Sequence, residues 1–432
     1  MSKAIYTPSE PVKLDNPFDG DAMGNRRKLA DKLNKMIGRM KSGGVIAIEA
    51  QWGDGKSWFA QNWLGSLTNE SHRKAALIDA FAFDFVDDPY SMISAELLTL
   101  LSKSNAPKPA LKKSLLRVGG VLARASGKAL VKAVVKHTVG ETAGEKIAEE
   151  FQEGMADSSG EIVDKLIEQQ ITALQDAKDS ISALKAQLEE LTRSEGTVVI
   201  MIDELDRCRP DFAVRTLERI KHFFDVPGLV FVLFINREAM VSSIDGAYGL
   251  GPVQSDAYLS KFIHLSLRLP VIRAVNSASA NDLRSFWNST MNRYDDPNEA
   301  MTAEVRDTFC VMASAVGMSL RDIERGITLY LLADKDVRPS TKYLAWPIFC
   351  KLHSNRTFAL LRNQKWTDSG ATQLLGRMKA TVGANEMIDQ LLIVHGFLDG
   401  SISSNNSNLS WFISQTGDVQ IAMNKLFAAV DL

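Results

Sequence analysis

The apolar run Gly44-Val45-Ile46-Ala47-Ile48-Glu49 passes directly into Ala50-Gln51-Trp52-Gly53-Asp54-Gly55-Lys56-Ser57, and this junction constrains the fold more than any other stretch of the chain. A Gly-Lys-Ser that follows a buried strand and opens a helix is the signature of a phosphate-binding loop. Gly53 and Gly55 let backbone N–H groups turn inward around phosphate oxygens, where a Cβ would crowd the anion. Lys56 is placed to reach the β- and γ-phosphates and Ser57 to ligate Mg²⁺, while the helix from Ser57 through Trp63 offers its positive end. The expected nucleotide contacts are therefore Gln51, Trp52, Gly53, Asp54, Gly55, Lys56, Ser57 and Trp58. The loop departs from the usual pattern at its first position, where Ala50 stands for glycine; this costs something only if the turn needs a positive φ. Taken alone, the motif also fits an ordinary strand-to-helix turn.

A second constellation lies further along the chain. Val198-Val199-Ile200-Met201-Ile202 has the composition of a strand buried on both faces, and it ends in Asp203-Glu204. Carboxylates at the C-terminal end of such a strand share a sheet edge with the phosphate loop. Asp203 is then the expected partner of Mg²⁺ and its waters, and Glu204 the group that orients or deprotonates an attacking water. The alternative is that both acids cap the next helix. A third apolar strand, Gly228-Leu229-Val230-Phe231-Val232-Leu233-Phe234-Ile235, ends in Asn236, a candidate for positioning the γ-phosphate or simply for closing a turn.

These residues carry a family resemblance. Gln51-Trp52-Gly53-Asp54-Gly55-Lys56-Ser57, Ile202-Asp203-Glu204-Leu205-Asp206-Arg207-Cys208-Arg209-Pro210 and the stretch from Phe224 to Glu238 resemble the KAP family of P-loop NTPases, which includes a phage-exclusion protein of the F plasmid. The likeness covers about residues 20 to 102 and 196 to 330, including Ser319-Leu320-Arg321-Asp322-Ile323-Glu324-Arg325. Ala50, Phe83 in place of a tryptophan, and Asn236 in place of a more usual aspartate depart from the family pattern. The resemblance implies ATP and Mg²⁺ as ligands, an additional-strand ATPase fold, and ATP-gated assembly or switching, often in mobile-element conflict. It also makes Arg321 a candidate nucleotide sensor on a helical lid, where an added cation accelerates hydrolysis by orders of magnitude; a surface or lid-packing arginine is the alternative. Arg207 is expected either to hold Asp203 or Asp206 in place or to touch nucleotide.

The 432 residues suffice for two or three compact domains, and a net charge of −2 gives no global pull toward nucleic acid or acidic membrane. Cys208, Cys310 and Cys350 are widely spaced and read as reduced thiols of a cytoplasmic protein. The six histidines never meet Cys or acids at ligand spacing, so no transition-metal site is expected. The N-terminus lacks the apolar segment of a signal peptide, and the longest uncharged apolar runs fall far short of the roughly 20 residues that cross a bilayer. No guanine-reading Asn-Lys-x-Asp motif is present, although the sequence alone does not name the preference between ATP and GTP, and a DNA-translocating motor is the weaker reading because no helicase-like motif set accompanies the site.

Between the two halves of the site the composition changes. From Lys103 to Gly140 there are nine Lys or Arg and no acid, with Arg124, Lys128, Lys132 and Lys136 recurring every fourth position among apolar residues. Such a helix suits an anionic membrane surface, peripheral to the inner membrane, or nucleic-acid phosphates, unless the acidic stretch that follows folds back on it. From Ile167 the pattern becomes heptad-like, with Ile167, Leu174, Ile181 and Leu188 in one position and Gln170, Ala177, Leu184 and Leu191 in the other. That predicts a helical arm projecting from the core, pairing with itself, with the basic helix or with a second subunit.

The fold class expected is α/β: a P-loop NTPase with a mostly parallel sheet flanked by helices, a helical insertion between the two nucleotide motifs and a helical C-terminal domain. The expected boundaries are an arm over 1–18, a core first half over 19–102, the insertion over 103–196, a core second half over 197–272, and a helical lid and C-terminal domain over 273–432. Protein partners and a homo-oligomer are expected.

Overall fold

The computed structural model describes residues 15–19, 21, 25–40, 42–86, 88–102, 109–125, 179–221, 223, 226–270, 277–292, 299–333, 341–403, 409 and 418–431. The expected arm over 1–18 lies mostly outside these residues, as do the basic positions Lys128, Lys132 and Lys136 and the first two heptads.

Five parallel strands, β1 (Gly44–Glu49), β2 (Lys74–Asp79), β3 (Val198–Asp203), β4 (Leu229–Ile235) and β5 (Leu265–Arg268), form one sheet in the order β2-β3-β4-β1-β5. Every strand of a parallel sheet needs a crossover, so all five C-terminal ends reach the same edge. The register confirms it, pairing Glu49 with Ile235 and with Arg268, and Asp79 with Asp203. The central strands β3 and β4 are buried along their whole length, which is why their sequences are continuous apolar runs and not alternating ones.

Each face of the sheet is covered. On one side Ile46, Ile48, Val230, Val232 and Phe234 pack against α1 (Arg26–Ile37) and α2 (Lys56–Gly65) through Leu33, Ile37, Phe59 and Trp63. On the other, Val45, Ile200, Ile202, Phe231 and Leu233 meet α3 (Tyr90–Ser102), α4 (Pro109–Ala125), a helix α5 over residues 179–195 and α6 (Pro210–Lys221). Leu111, Leu115 and Val118 of α4 and Leu184, Leu188 and Leu191 of α5 belong to this same core. The described half of the heptad segment is thus not a projecting arm: its apolar stripe is spent on the α/β core, because a stripe of this spacing packs as readily on a domain as on another coil. Tyr90 ties α4 down, donating its hydroxyl to the Leu115 carbonyl at 3.2 Å.

Helices α7 (Arg237–Tyr248) and α8 (Pro252–Ser260) precede β5, and after it the described chain is helical, with α9 (Ser277–Met291), α10 (Glu299–Val316), α11 (Leu320–Leu332) and, among the described residues, five further helices of eight or more residues. Trp287, Phe309, Tyr330, Trp346 and Phe349 are fully buried at the centre of this separate core. Helices α10 and α11 approach closely at Gly326, where an added Cβ would lie 2.6 Å from Cζ of Phe309. Gly326→Ala therefore forces the ring off its site, and a loss of about 1–3 kcal/mol of stability is expected in chemical denaturation. An unchanged midpoint would refute this close packing. No described helix is long and apolar enough to cross a membrane.

Candidate functional site

The loop between β1 and α2 begins as a continuation of the strand. Ala50 donates its N–H to the Ile235 carbonyl at 3.1 Å, and it is absent from the residues with positive φ. Alanine at the first motif position is therefore without conformational cost. The turn is made by Gly53 (φ 88°) and Gly55 (φ 81°), and closed by Asp54, whose carboxylate accepts the Gln51 N–H at 3.0 Å. Gly55 is the N-cap of α2 and supplies no side-chain acceptor, so the first-turn N–H groups stay open to an anion.

The loop rests on a residue that the sequence reading did not single out. Arg26, at the start of α1, is buried and donates to the carbonyls of Gly55 at 3.2 Å and Asp54 at 2.5 Å, with its guanidinium carbon 5.6 Å from the ring centre of Trp58. Burial pushes its pKa down to about 10, against the pull of Asp21 and Asp54. Holding these two carbonyls from below turns the opposite side of the peptide units, the N–H side, toward the ligand space. Trp58 also meets Phe18 edge-on at 5.8 Å, so it lies on the packing side of the loop.

Lys56 donates from Nζ to the carbonyls of Ala50 at 3.1 Å and Gln51 at 3.4 Å, and lies 3.5 Å from Asp206 Oδ2. Ser57 donates from Oγ to Glu204 Oε1 at 3.2 Å across 147 positions of sequence. Asp203 is buried, accepts the Glu204 N–H at 2.9 Å, and also bonds Ser57. Its pKa is pushed up to about 6, first by burial and then by the charge of Glu204, with the bonds from Ser57 and the Glu204 N–H and the charge of Lys56 acting the other way. Glu204 sits at φ 59°, an uncommon conformation for a non-glycine residue, which turns its side chain back toward α2. Its second oxygen pairs with Arg207 Nε at 2.5 Å. Arg207 thus holds Glu204, and not Asp203 or Asp206 as the sequence suggested.

Two further candidates stand at the rim. Asn236 does close a turn: its Oδ1 caps α7 by accepting the N–H groups of Glu238 at 3.1 Å and Ala239 at 3.4 Å. Its Nδ2 still faces the loop, donating to Gln51 Oε1 at 2.8 Å. Arg321, in the first turn of α11, donates its backbone N–H to the Gly53 carbonyl at 3.3 Å, which brings the lid onto the loop. Ser319 and Asp322 cap that helix reciprocally. The Arg321 side chain is exposed and forms no hydrogen bond or ion pair among the described residues.

The donor set at Ser57 and Asp203 is made of hard oxygens, beside a loop built for phosphate. It fits Mg²⁺, which binds through one or two protein oxygens plus phosphate and water. A carboxyl that holds its proton more tightly when folded, about 6 against an ordinary 3.8, stabilises most fully below the lower value, and the contribution is lost as pH rises through the higher. Asp203→Asn is therefore expected to gain stability over wild type, by at most about 3 kcal/mol, on going from about pH 4 to about pH 7.5 without Mg²⁺. A constant difference between the two denaturation midpoints would refute the buried-acid assignment.

The sequence pattern of one protein family, described as the KAP family P-loop domain, matches residues 26–331. No curated protein matches the chain. Among solved structures, the ORC2 protein of Aeropyrum pernix in its ADPNP-ADP complexes is similar at 11% identity, covering 98% of this chain and 97% of that one with a TM-score of 0.37. Drosophila ORC bound to DNA is similar at 11% identity over 98% of this chain and 89% of that one, with a TM-score of 0.38. These are distant likenesses of outline, and no role is carried over from them.

Proposed function

The chain belongs to the KAP family of P-loop domains, its match spanning both the loop and the carboxylate pair, and on that premise we propose that it binds ATP with Mg²⁺, hydrolyses it and uses the cycle as a conformational switch. The observation that carries this reading is the 3.2 Å contact between Ser57 and Glu204, by which segments 147 residues apart converge at one sheet edge. In this scheme Lys56 and the N–H groups from Gly55 to Trp58 take the phosphates, Gln51 to Asp54 shape the turn around them, and Ser57 and Asp203 hold Mg²⁺. The ion would neutralise phosphate oxygens when bound. Glu204 accepts the proton of the attacking water, while Asn236 positions the loop through Gln51, and Arg321 approaches the phosphates as the lid settles on Gly53.

The ion pair between Glu204 and Arg207 favours slow turnover, since the carboxylate must leave a close cation before it takes a proton. That feature supports a second reading, a weakly hydrolytic scaffold that assembles a complex at the inner membrane surface. The family supports the first: an ATPase component of a bacterial defence or mobile-element conflict system acting through partner effectors. On α4, Lys112, Lys113 and Arg117 face solvent while Leu111, Leu115 and Val118 are buried, a cationic face suited to an acidic partner, anionic lipid or nucleic acid.

Mass-resolved size exclusion with and without a non-hydrolysable ATP analogue, alongside steady-state hydrolysis with DNA, RNA or anionic vesicles, tests these readings. A nucleotide-dependent change in assembly with turnover raised by one of these additions is expected. Constant mass and no nucleotide uptake would sink the switch.

A further inference from the structure

The side chain of Asp206 is wholly shielded from solvent, and its partners come from three other parts of the site. Oδ2 accepts the indole N–H of Trp52 at 2.9 Å and the backbone N–H of Asn236 at 2.9 Å, and lies 3.5 Å from Lys56 Nζ. Oδ1 is buried without a hydrogen-bond partner among the described residues. An ammonium has three N–H donors. Those of Lys56 face three oxygens of the protein itself: the Ala50 carbonyl, the Gln51 carbonyl and the Asp206 carboxylate. A lysine so surrounded has its donors turned toward protein oxygens at 3.1 to 3.5 Å, and a triphosphate competes with them for the ammonium. The carboxylate is the one that resembles the ligand, being anionic and of similar hydrogen-bonding geometry.

A buried ion pair with one oxygen unpartnered is a poor source of stability, because desolvation of both charges offsets most of the attraction. It is better suited to exchange. Trp52 is the solvent-exposed member of the group, with 49% of its surface exposed, whereas the Asn236 N–H lies at the junction of β4 and α7.

We propose that Asp206 is an intramolecular stand-in for the terminal phosphates. It holds the Lys56 ammonium in the empty loop, yields it to a triphosphate, and reports the exchange to Trp52 and to the start of α7 through the two N–H groups that share its Oδ2. Asp206 is a positioning residue in this scheme, and the scheme rests on the nucleotide reading above.

Opposite signs for two variants follow. Asp206→Asn keeps an oxygen acceptor for Trp52 and Asn236 but removes the charge that competes for Lys56, so affinity for MgATP, and for Mg-tripolyphosphate as a base-free probe, rises on the order of tenfold. Trp52→Phe keeps the ring but withdraws one donor from Oδ2, leaving the carboxylate to pull harder on Lys56, and affinity falls about threefold. The double variant binds like Asp206→Asn alone, because the competitor that Trp52 restrains is gone. A role in packing alone would weaken binding in both single variants.

Titration calorimetry of the full chain measures the affinities, and the emission of Trp52, taken as wild type minus Trp52→Phe, gives a spectroscopic signature. In Asp206→Asn, compared with its own Trp52→Phe double variant, the nucleotide-free emission already resembles that of MgATP-bound wild type. Weaker or unchanged binding by folded Asp206→Asn overturns the exchange. If that variant does not fold, Trp52→Phe decides alone: unchanged or tighter binding overturns the proposal. Wild-type protein that takes up neither probe defeats the nucleotide reading and the exchange together, an outcome distinct from wild-type binding with the signs reversed.

Discussion

Glu204→Gln is expected to bind MgATP as wild type does and to hydrolyse it about 10²–10⁴-fold more slowly, the range for removing a positioned general base. Glutamine preserves the shape and keeps an acceptor for the Ser57 hydroxyl, now 3.2 Å from Oε1, so the floor of the site should survive. What disappears is the charge that takes a proton from water, along with the ion pair to Arg207. Single-turnover hydrolysis beside equilibrium binding separates the two effects. Normal turnover would move the base elsewhere. A loss of binding would instead mean that the bond between Glu204 and Ser57 organises the loop.

Lys56→Ala is expected to abolish detectable ATP binding, and its effect has two sources. The phosphates lose their cation, and Asp206 becomes a buried carboxylate with no cation beside the place where they would sit. Breaking such a pair from one side costs about 3 kcal/mol of stability. The melting temperature should therefore fall, and Lys56→Ala combined with Asp206→Asn should recover most of it while still failing to bind. Retained affinity in Lys56→Ala would remove the loop from consideration as the nucleotide site.

Strands β1, β3 and β4 were legible in the sequence because burial on both faces leaves an uninterrupted apolar run. The edge strands were less so. β5 is mostly exposed and β2 only partly buried, and each is defined by its neighbour's hydrogen bonds more than by its own composition. The phosphate loop and the Asp203-Glu204 pair could be read from local chemistry, since each motif needs only its own residues and the strand before it. Asp206 and Arg26 could not. Asp206 acts through Trp52, 154 positions away, and Arg26 through Asp54, 28 positions away, so neither spacing leaves a local pattern. A charged residue at the first position of an amphipathic helix, as Arg26 is, reads as solvent-facing until the fold shows that it is buried. The described heptad positions, Ile181 to Leu191, differ from the expected arm for a related reason: the stripe specifies an apolar partner without specifying which one.

Gly53 has a neighbour that no phosphate loop requires. A Cβ there would meet Ser319 Oγ at 2.7 Å, before any ligand is considered. One methyl group would thus act as a wedge against the C-terminal helices and would at the same time strain the loop, whose φ of 88° at Gly53 disfavours any side chain. The loop's shape and the seating of the lid are in this way set by the same hydrogen atom, and neither can be retuned by substitution at Gly53 without moving the other.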